Sequence, residues 1–475
     1  MIRARFELAT FCVLDRCDNQ LRHRTVNNTD TTTDPVASFP LASPTLLAGE
    51  LGANLHSLIT IQSMSSSQRL LSFNVVVPAL LATKLAFGFS KLPDAVRYDH
   101  QLSSPLTSFS QLQEGLWLFN HGIDPYAGGT FRHSPLLLAL FSTILPSSRS
   151  FAPIIWVLFD ALAAWALVNI WRARQNVPAS TRDGIIAALY LANPYIFLPS
   201  LALSTSTIEN ALMLLSVMFA SQHKSSASLL TLAFLTQLSP ISILVLAPLL
   251  LLLITDPHSH LASPKPLTAS LKRTLPYLGE FLLYTGALAF AATLVTGDWN
   301  WVSQTWGTWI TLPDLTPNPG LWWYFFTEMF DHFRPFFLMV FTVHLVIYVA
   351  PLCIKFQHDP LFALFLLLGV LGTFKAYPTL SDPGLFLSIM SIFPELFPYM
   401  RHPIVTGLLH LHAALLLPLF NHLWLIQGTG NANFFYASTL VFACANGMAV
   451  IDCLWAGMRI AIGKEVEGYS VIQDK

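Results

Sequence analysis

Glu328, Asp331 and His332 stand at i, i+3 and i+4, a spacing that puts metal-ligating side chains on one helix face. Spacing is all they offer, because a metal needs a further ligand and no partner is identifiable, so a solvated, helix-capping face is the better reading. Asp94 and Asp99 are carboxylates that could act as a general base, but Ala95-Val96-Arg97-Tyr98 separates them and they form neither D-x-D nor an E-D pair. Asn431 and Asn433 open an apolar stretch, where they can cap a helix or hold a phosphate or sugar hydroxyl at its positive end. Lys375 in FKAYPTLSD can neutralise a phosphate, or simply snorkel from a helix end. Asp314, Asn318 and Glu328 offer hydrogen bonds beside Trp322, Trp323, Tyr324, Phe325 and Phe326, a density of rings that suits either an interfacial belt or a lipid or glycolipid cradle. There is no G-x-S-x-G, H-E-x-x-H or P-loop. The five cysteines, at 12, 17, 353, 444 and 453, include no C-x-x-C pair and read as small buried hydrophobes. No catalytic residue, metal or cofactor is therefore assigned.

The elements that carry these residues are set by composition. The chain is 53% hydrophobic and 11% charged, against about 25% charged for soluble domains, so it belongs in a bilayer. A formal net charge of −1 argues against nucleic-acid binding, which needs a concentrated basic face. Residues 1–63 are rich in Ser, Thr, Asn and Asp without an apolar period and read as a disordered N-terminal extension, with Met64 as a possible alternative start. A spanning helix needs about 20 apolar residues. On that rule the multispanning domain, 64–475, is all-α with about twelve transmembrane helices. They fall near 70–90, 151–171, 184–203, 207–221, 226–239, 241–255, 276–297, 334–354, 360–374, 382–398, 403–425 and 433–461. Ser134–Leu145 is apolar but only about 18 Å long as a helix, so it reads as half-sunk in one leaflet.

Positive charge sets the orientation. Arg172, Arg174, Arg182, Lys224, Lys265, Lys272, Arg273, Lys355, Arg401 and Lys464 all fall on the cytosolic side if the chain starts there. Both termini are then cytosolic and the main lumenal loops are 91–150, 298–333 and 426–432. Within the first of these, Gly122, Asp124-Pro125-Tyr126 and Gly128-Gly129 fix turns. The stretch Gln111–Asn120 alternates as a short helix lying on a membrane surface, with Leu112, Leu116 and Phe119 on its apolar side. Two charges lie inside spans, where each is costly: Lys84 about 9 Å and Asp160 about 13 Å below the lumenal edge by the rise per residue. Matching depths predict that they pair. Asp452 reads as interfacial, and His344, His410, His412 and His422 as core or interface residues.

Several of these stretches carry a resemblance. Ser104-Pro105-Leu106-Thr107-Ser108-Phe109, Glu114-Gly115, Gly122-Ile123-Asp124-Pro125-Tyr126 and His133-Ser134-Pro135-Leu136 resemble the first lumenal loop of the PIG-U family. So do PDLTPN-x-GL-x-WYFF-x-EMF-x-HF from Pro313, Phe374-Lys375-x-Tyr377-Pro378-Thr379-x-x-Asp382, and GNANFFYA from Gly430. The resemblance runs from Leu70 onwards, through four loops in order. It implies a non-catalytic, multi-pass subunit of the endoplasmic reticulum GPI transamidase complex, which binds the GPI lipid and presents it for attachment to the C-terminus of precursor proteins. Its partners would be the other transamidase subunits, the GPI lipid and precursors bearing a GPI signal. The glycolipid contacts implied are Asn433 first and Asn431 second, with Asp314, Asn318, Trp323, Glu328, Lys375 and Asp124. The architecture is also similar to the membrane glycosyltransferase (GT-C-like) scaffold, an analogy of fold. The alternative function is thus a dolichol-phosphate-mannose-dependent mannosyltransferase of GPI precursor synthesis, in which Asp94 or Asp99 would be essential. A transporter would need two related halves, and none is visible.

Overall fold

The computed structural model describes residues 72–463 apart from 149, 181, 259, 267–270 and 312–314. The expected extension at 1–63, Asp314 and Lys464 lie outside the described residues. Every element among those described is helical. In chain order the principal helices are α1 (Phe73–Gly88), α2 (Phe109–Asn120), α3 (Pro135–Thr143), α4 (Ala152–Gln175), α5 (Asp183–Leu191), α6 (Pro194–Leu201), α7 (Ser206–Ser221) and α8 (Ser225–Leu238). There follow α9 (Leu246–Ile254), α10 (Thr274–Thr296), α11 (Trp323–Thr327), α12 (Arg334–Val343), α13 (Val349–Lys355), α14 (Pro360–Phe374), α15 (Ser381–Ile389), α16 (Pro403–Leu425) and α17 (Ala432–Ile462).

Five of the expected spans are helical and long enough to cross a membrane, at Ala152–Gln175, Leu271–Thr296, Arg334–Lys355, Pro403–Leu425 and Ala432–Ile462. A sixth is α5 with α6, bent by 54°. Asn193 makes that break by capping α6, its side chain accepting from the Tyr195 amide at 3.0 Å, while Pro194 has no N–H to continue the ladder. Five further apolar stretches form shorter helices: Phe73–Gly88, Ser206–Ser221, Ser225–Leu238, Pro240–Ile254 and Pro360–Phe374. The expected span at 382–398 is α15 followed by 3₁₀ turns at Met390–Ile392 and Pro394–Tyr399, because Pro394 and Pro398 remove the donors that an α-helix would use. Helix α14 is apolar on every side and buried from Pro360 to Thr373, which places it at the heart of the bundle.

Lys84 and Asp160 pair as their depths predict. Lys84 Nζ is 2.6 Å from Asp160 Oδ2, with side-chain exposures of 4% and 0%. Ser200 donates to the same oxygen, and Nζ sits 5.4 Å from the centre of the Phe197 ring. At the opposite end of α4, Arg174 is fully buried. It grips Asp359 through two bonds of 3.0 and 2.9 Å and Glu395 through one of 2.8 Å. Its guanidinium also stacks 4.3 Å from the Phe393 ring. Asp359 at the same time caps α14, accepting from the Phe362 amide at 3.1 Å. Asp452 is buried, and its carboxylate accepts from the amides of Arg401 at 2.6 Å and His402 at 3.1 Å, closing the start of α16.

The surface helix also differs from expectation. Helix α2 forms where the period places it, but Phe109, Leu112 and Leu116 are buried against Phe131, Phe141 and Trp156, so its apolar side faces protein. Gly115 permits that approach, since a Cβ there would come within 2.2 Å of the Phe131 ring. Helix α3, only nine residues long, is too short to cross and packs on α2 and α10.

Breaking the α1–α4 ion pair from one side, by Lys84→Met or Asp160→Asn, strands a buried charge or donor and should cost about 3 to 5 kcal/mol. The double substitution Lys84→Met with Asp160→Leu should recover most of that loss. Thermal unfolding of the protein purified in detergent checks both.

Candidate functional site

The turn 374–382 is the meeting point of the polar loops. Asp382 shapes it from within, accepting from the Thr379 amide at 2.8 Å and from Lys375 Nζ at 2.9 Å. From the first loop, the Gln101 carbonyl accepts from the Leu380 amide at 3.0 Å. From the bundle, Asn210 Nδ2 donates to Ser381 Oγ at 2.7 Å. From the second loop, Trp322 Nε1 donates to the Phe374 carbonyl at 3.0 Å. Gly320 is needed at this junction because a Cβ would lie 2.8 Å from Pro378 and 2.7 Å from Asn318 Oδ1. Lys375 is only 5% exposed and its Nζ lies 4.9 Å from the centre of the Trp309 ring. Burial works against its charge, but the Asp382 and Glu209 carboxylates outweigh that and hold its pKa above the ordinary lysine value. Beside it is a cavity of about 50 Å³ with a mixed lining, in which Glu209, Asn210, Lys375 and Asp382 stand among apolar side chains such as Met213 and Leu371, large enough for a water.

The second and third loops join through aromatic rings. Trp323 is buried, stacked on Trp424 at 6.1 Å and set against Phe435 at 5.8 Å and Tyr436 at 6.0 Å. Tyr436 Oη donates to the Leu321 carbonyl at 3.1 Å, and Tyr324 lies 4.9 Å from the Tyr436 ring. Leu102 of the first loop and Leu380 of the turn belong to the same apolar cluster. On the outside of this assembly, Asn431, Asn433 and Glu328 are exposed. Asn431 caps α17, its side chain accepting from the Phe434 amide at 3.2 Å. The Glu328 carboxylate near the Tyr324 hydroxyl pushes the pKa of that hydroxyl up.

The expected site residues thus divide. Asn431, Asn433, Trp323 and Glu328 are placed around one aromatic floor. Lys375 and Asn318 are buried at the 374–382 junction with their polar groups engaged: Asn318 is fully buried, donating to the Thr316 carbonyl at 3.2 Å and accepting from the Gly320 amide at 2.8 Å. Both shape the loops from where they sit. Asp124 is exposed in a separate assembly, where its carboxylate accepts from the Tyr126 amide at 2.9 Å and Tyr126 packs with Phe109, Phe131 and Trp156. Glu209 and Trp309 do not emerge from the sequence motifs, and Tyr436 stands in GNANFFYA without being singled out. A carboxylate in the first turn of an apolar helix, in Ile208-Glu209-Asn210, was the available signal for the first of them.

Comparison with known proteins adds a second line. The sequence profile described as GPI transamidase subunit PIG-U matches residues 78–442. The chain is 32% identical over 395 residues to the GPI transamidase component GAB1 of Saccharomyces cerevisiae, covering 82% of this chain and 96% of that one. It is 29% identical over 415 residues to the GPI-anchor transamidase component PIGU of Homo sapiens, covering 81% and 93%. The GAB1 homologue of Schizosaccharomyces pombe is 32% identical over 362 residues, covering 75% and 86%.

The first loop is sensitive to acid. His133 is buried, its Nε2 2.8 Å from the Ser108 carbonyl, and burial pulls its pKa down to about 4 despite that bond. The unfolded histidine titrates near 6.5, so the native loop takes up the proton later than the unfolded one. Its stability is complete above about pH 6.5 and is lost as pH falls toward 4. Amide exchange across 103–135 should therefore quicken over that window, and His133→Gln should flatten the dependence.

Proposed function

The chain belongs to the PIG-U family of GPI transamidase subunits, and from that premise we propose that it binds the GPI lipid on the floor built by its lumenal loops and presents it to the catalytic partner. What supports this reading most directly is the placement of Asn431, Asn433 and Glu328 around a floor of rings drawn from two loops, with Trp323 at its centre. Such rings give acyl chains or sugar faces an apolar bed. The start of α17 directs its first amides and the positive end of its dipole outward, which favours a phosphate group, and the two asparagine amides add donors for sugar hydroxyls. The terminal ethanolamine of the lipid is then left clear for a nucleophile carried by another subunit, consistent with a chain to which no catalytic residue, cofactor or metal is assigned.

In this reading the protein is a multi-pass component of the endoplasmic reticulum membrane with both termini in the cytosol. The shorter helices complete about twelve crossings by using protein neighbours in place of lipid, on a scaffold of the GT-C kind. Its partners are the other transamidase subunits, the GPI lipid and precursor proteins with a C-terminal GPI signal. Asn433 and Asn431 are the foremost lipid contacts, with Trp323 and Glu328 beside them. Lys375 and Asn318 hold the loops, and Asp124 marks a second approach on the first loop. Residues 1–63 remain an extension outside this function.

Purifying the assembled complex with Asn433→Ala or Trp323→Ala, and measuring co-purifying lipid by mass spectrometry, should show a several-fold fall in retained GPI. Cells carrying these variants should accumulate complete GPI and uncleaved precursors. If Asp94→Asn or Asp99→Asn instead accumulates an under-mannosylated lipid, the chain is a mannosyltransferase and the presenting role is wrong.

A further inference from the structure

The turn that fastens the proposed lipid-binding loops together rests on three charged side chains, one of which comes from a transmembrane helix. Lys375 Nζ is 2.9 Å from Asp382 Oδ1, and the other oxygen of Asp382 is taken by the Thr379 amide at 2.8 Å. Glu209, in the first turn of α7, lines the same cavity as both. It lies within electrostatic reach of Lys375 and Asp382 and beside Ser239. The ammonium is thus paired with one carboxylate and shares its cavity with a second, from a separate element. The elements above it are tied to the same point: the Trp309 ring over Nζ, Trp322 on the Phe374 carbonyl, Gln101 on Leu380, and Asn210 on Ser381 from the residue next to Glu209.

We propose that Glu209, Lys375 and Asp382 form an ionic lock around one cavity that positions the second lumenal loop, with the buried Lys375 acting through Trp309 and the 374–382 turn and not as a contact of the lipid. The inference rests on the glycolipid reading of these loops and names the residues that set their geometry. Removing one member of a buried charge cluster leaves the others uncompensated. Without Lys375, two carboxylates face each other across the cavity and drive α7 and the turn apart. Without the Glu209 charge, α7 no longer anchors the ammonium. Either change releases the segment that Trp322 and Gly320 bind, and with it Trp323 and the floor beneath Asn431 and Asn433.

The test compares Glu209→Gln, Asp382→Asn, Lys375→Met and Lys375→Arg in the purified complex, with two readouts: amide exchange of residues 315–327 and the amount of GPI lipid retained. The lock requires that Glu209→Gln, which touches neither loop, raise exchange at 315–327 several-fold and lower retained lipid in parallel, as Asp382→Asn does, while Lys375→Arg keeps much of the protection. Should Lys375→Met fail to assemble, Glu209→Gln, nearly isosteric, decides the matter alone. If Glu209→Gln and Asp382→Asn leave both readouts at the parental level while Lys375→Met loses lipid, the lysine is a direct lipid contact and the lock is refuted. If exchange rises in these variants but retained lipid does not change, the lock stands and the glycolipid reading of the loops fails.

Discussion

A charge inside a bilayer must bring its partner with it, and in this protein that requirement ties the bundle together at both ends. Lys84 and Asp160 join α1 to α4 toward one end of the bundle. Arg174, Asp359 and Glu395 join the other end of α4 to α14 and the 394–399 turn. Neither group is a strong net source of stability, because the desolvation of ions offsets much of their attraction. Their value is in register: leucines can slide past one another on a helix face with little penalty, whereas a buried ion has one position at which it is satisfied. The apolar surface around α14 then packs about points already fixed.

The same logic continues into the loops. Connecting segments far apart in the chain are drawn onto the 374–382 turn by polar groups that would otherwise be unpaired in a dry environment. Aromatic rings close the gaps between them. The exposed asparagines and Glu328 are arranged on top of this base, so the geometry offered to a ligand is set one layer below the residues that would touch it.

Much of this could be read from the sequence because the signals were local or additive. Apolar runs gave the helices, and matching insertion depths gave the Lys84–Asp160 pair before any coordinates. Capping by Asn431 and the brevity of α3 followed from residue type and length. Side-chain partners between distant elements were not legible: Arg174 looked like one more cytosolic cation, and nothing near Asp452 pointed to the Arg401 and His402 amides, because these partners lie far away in sequence. The apolar side of α2 had the same ambiguity, since an amphipathic period says that one face is buried but not whether lipid or protein covers it. The span expected at 382–398 was misjudged where Pro394 interrupts the apolar run, because hydropathy does not register a missing N–H.

The brevity of α8 carries a consequence for the surrounding lipid. Its fourteen residues span about 21 Å at the helical rise, against a hydrocarbon thickness of about 30 Å, and Leu230 on its outer side is exposed. Hydrophobic mismatch of this size thins the adjoining leaflets or draws interfacial water inward. In the twelve-span reading α8 is one of the crossings, and the flank it lines then carries a compressed annulus, where a lipid with a bulky polar head meets a shorter barrier to lateral entry than it does beside the longer helices α10 and α16.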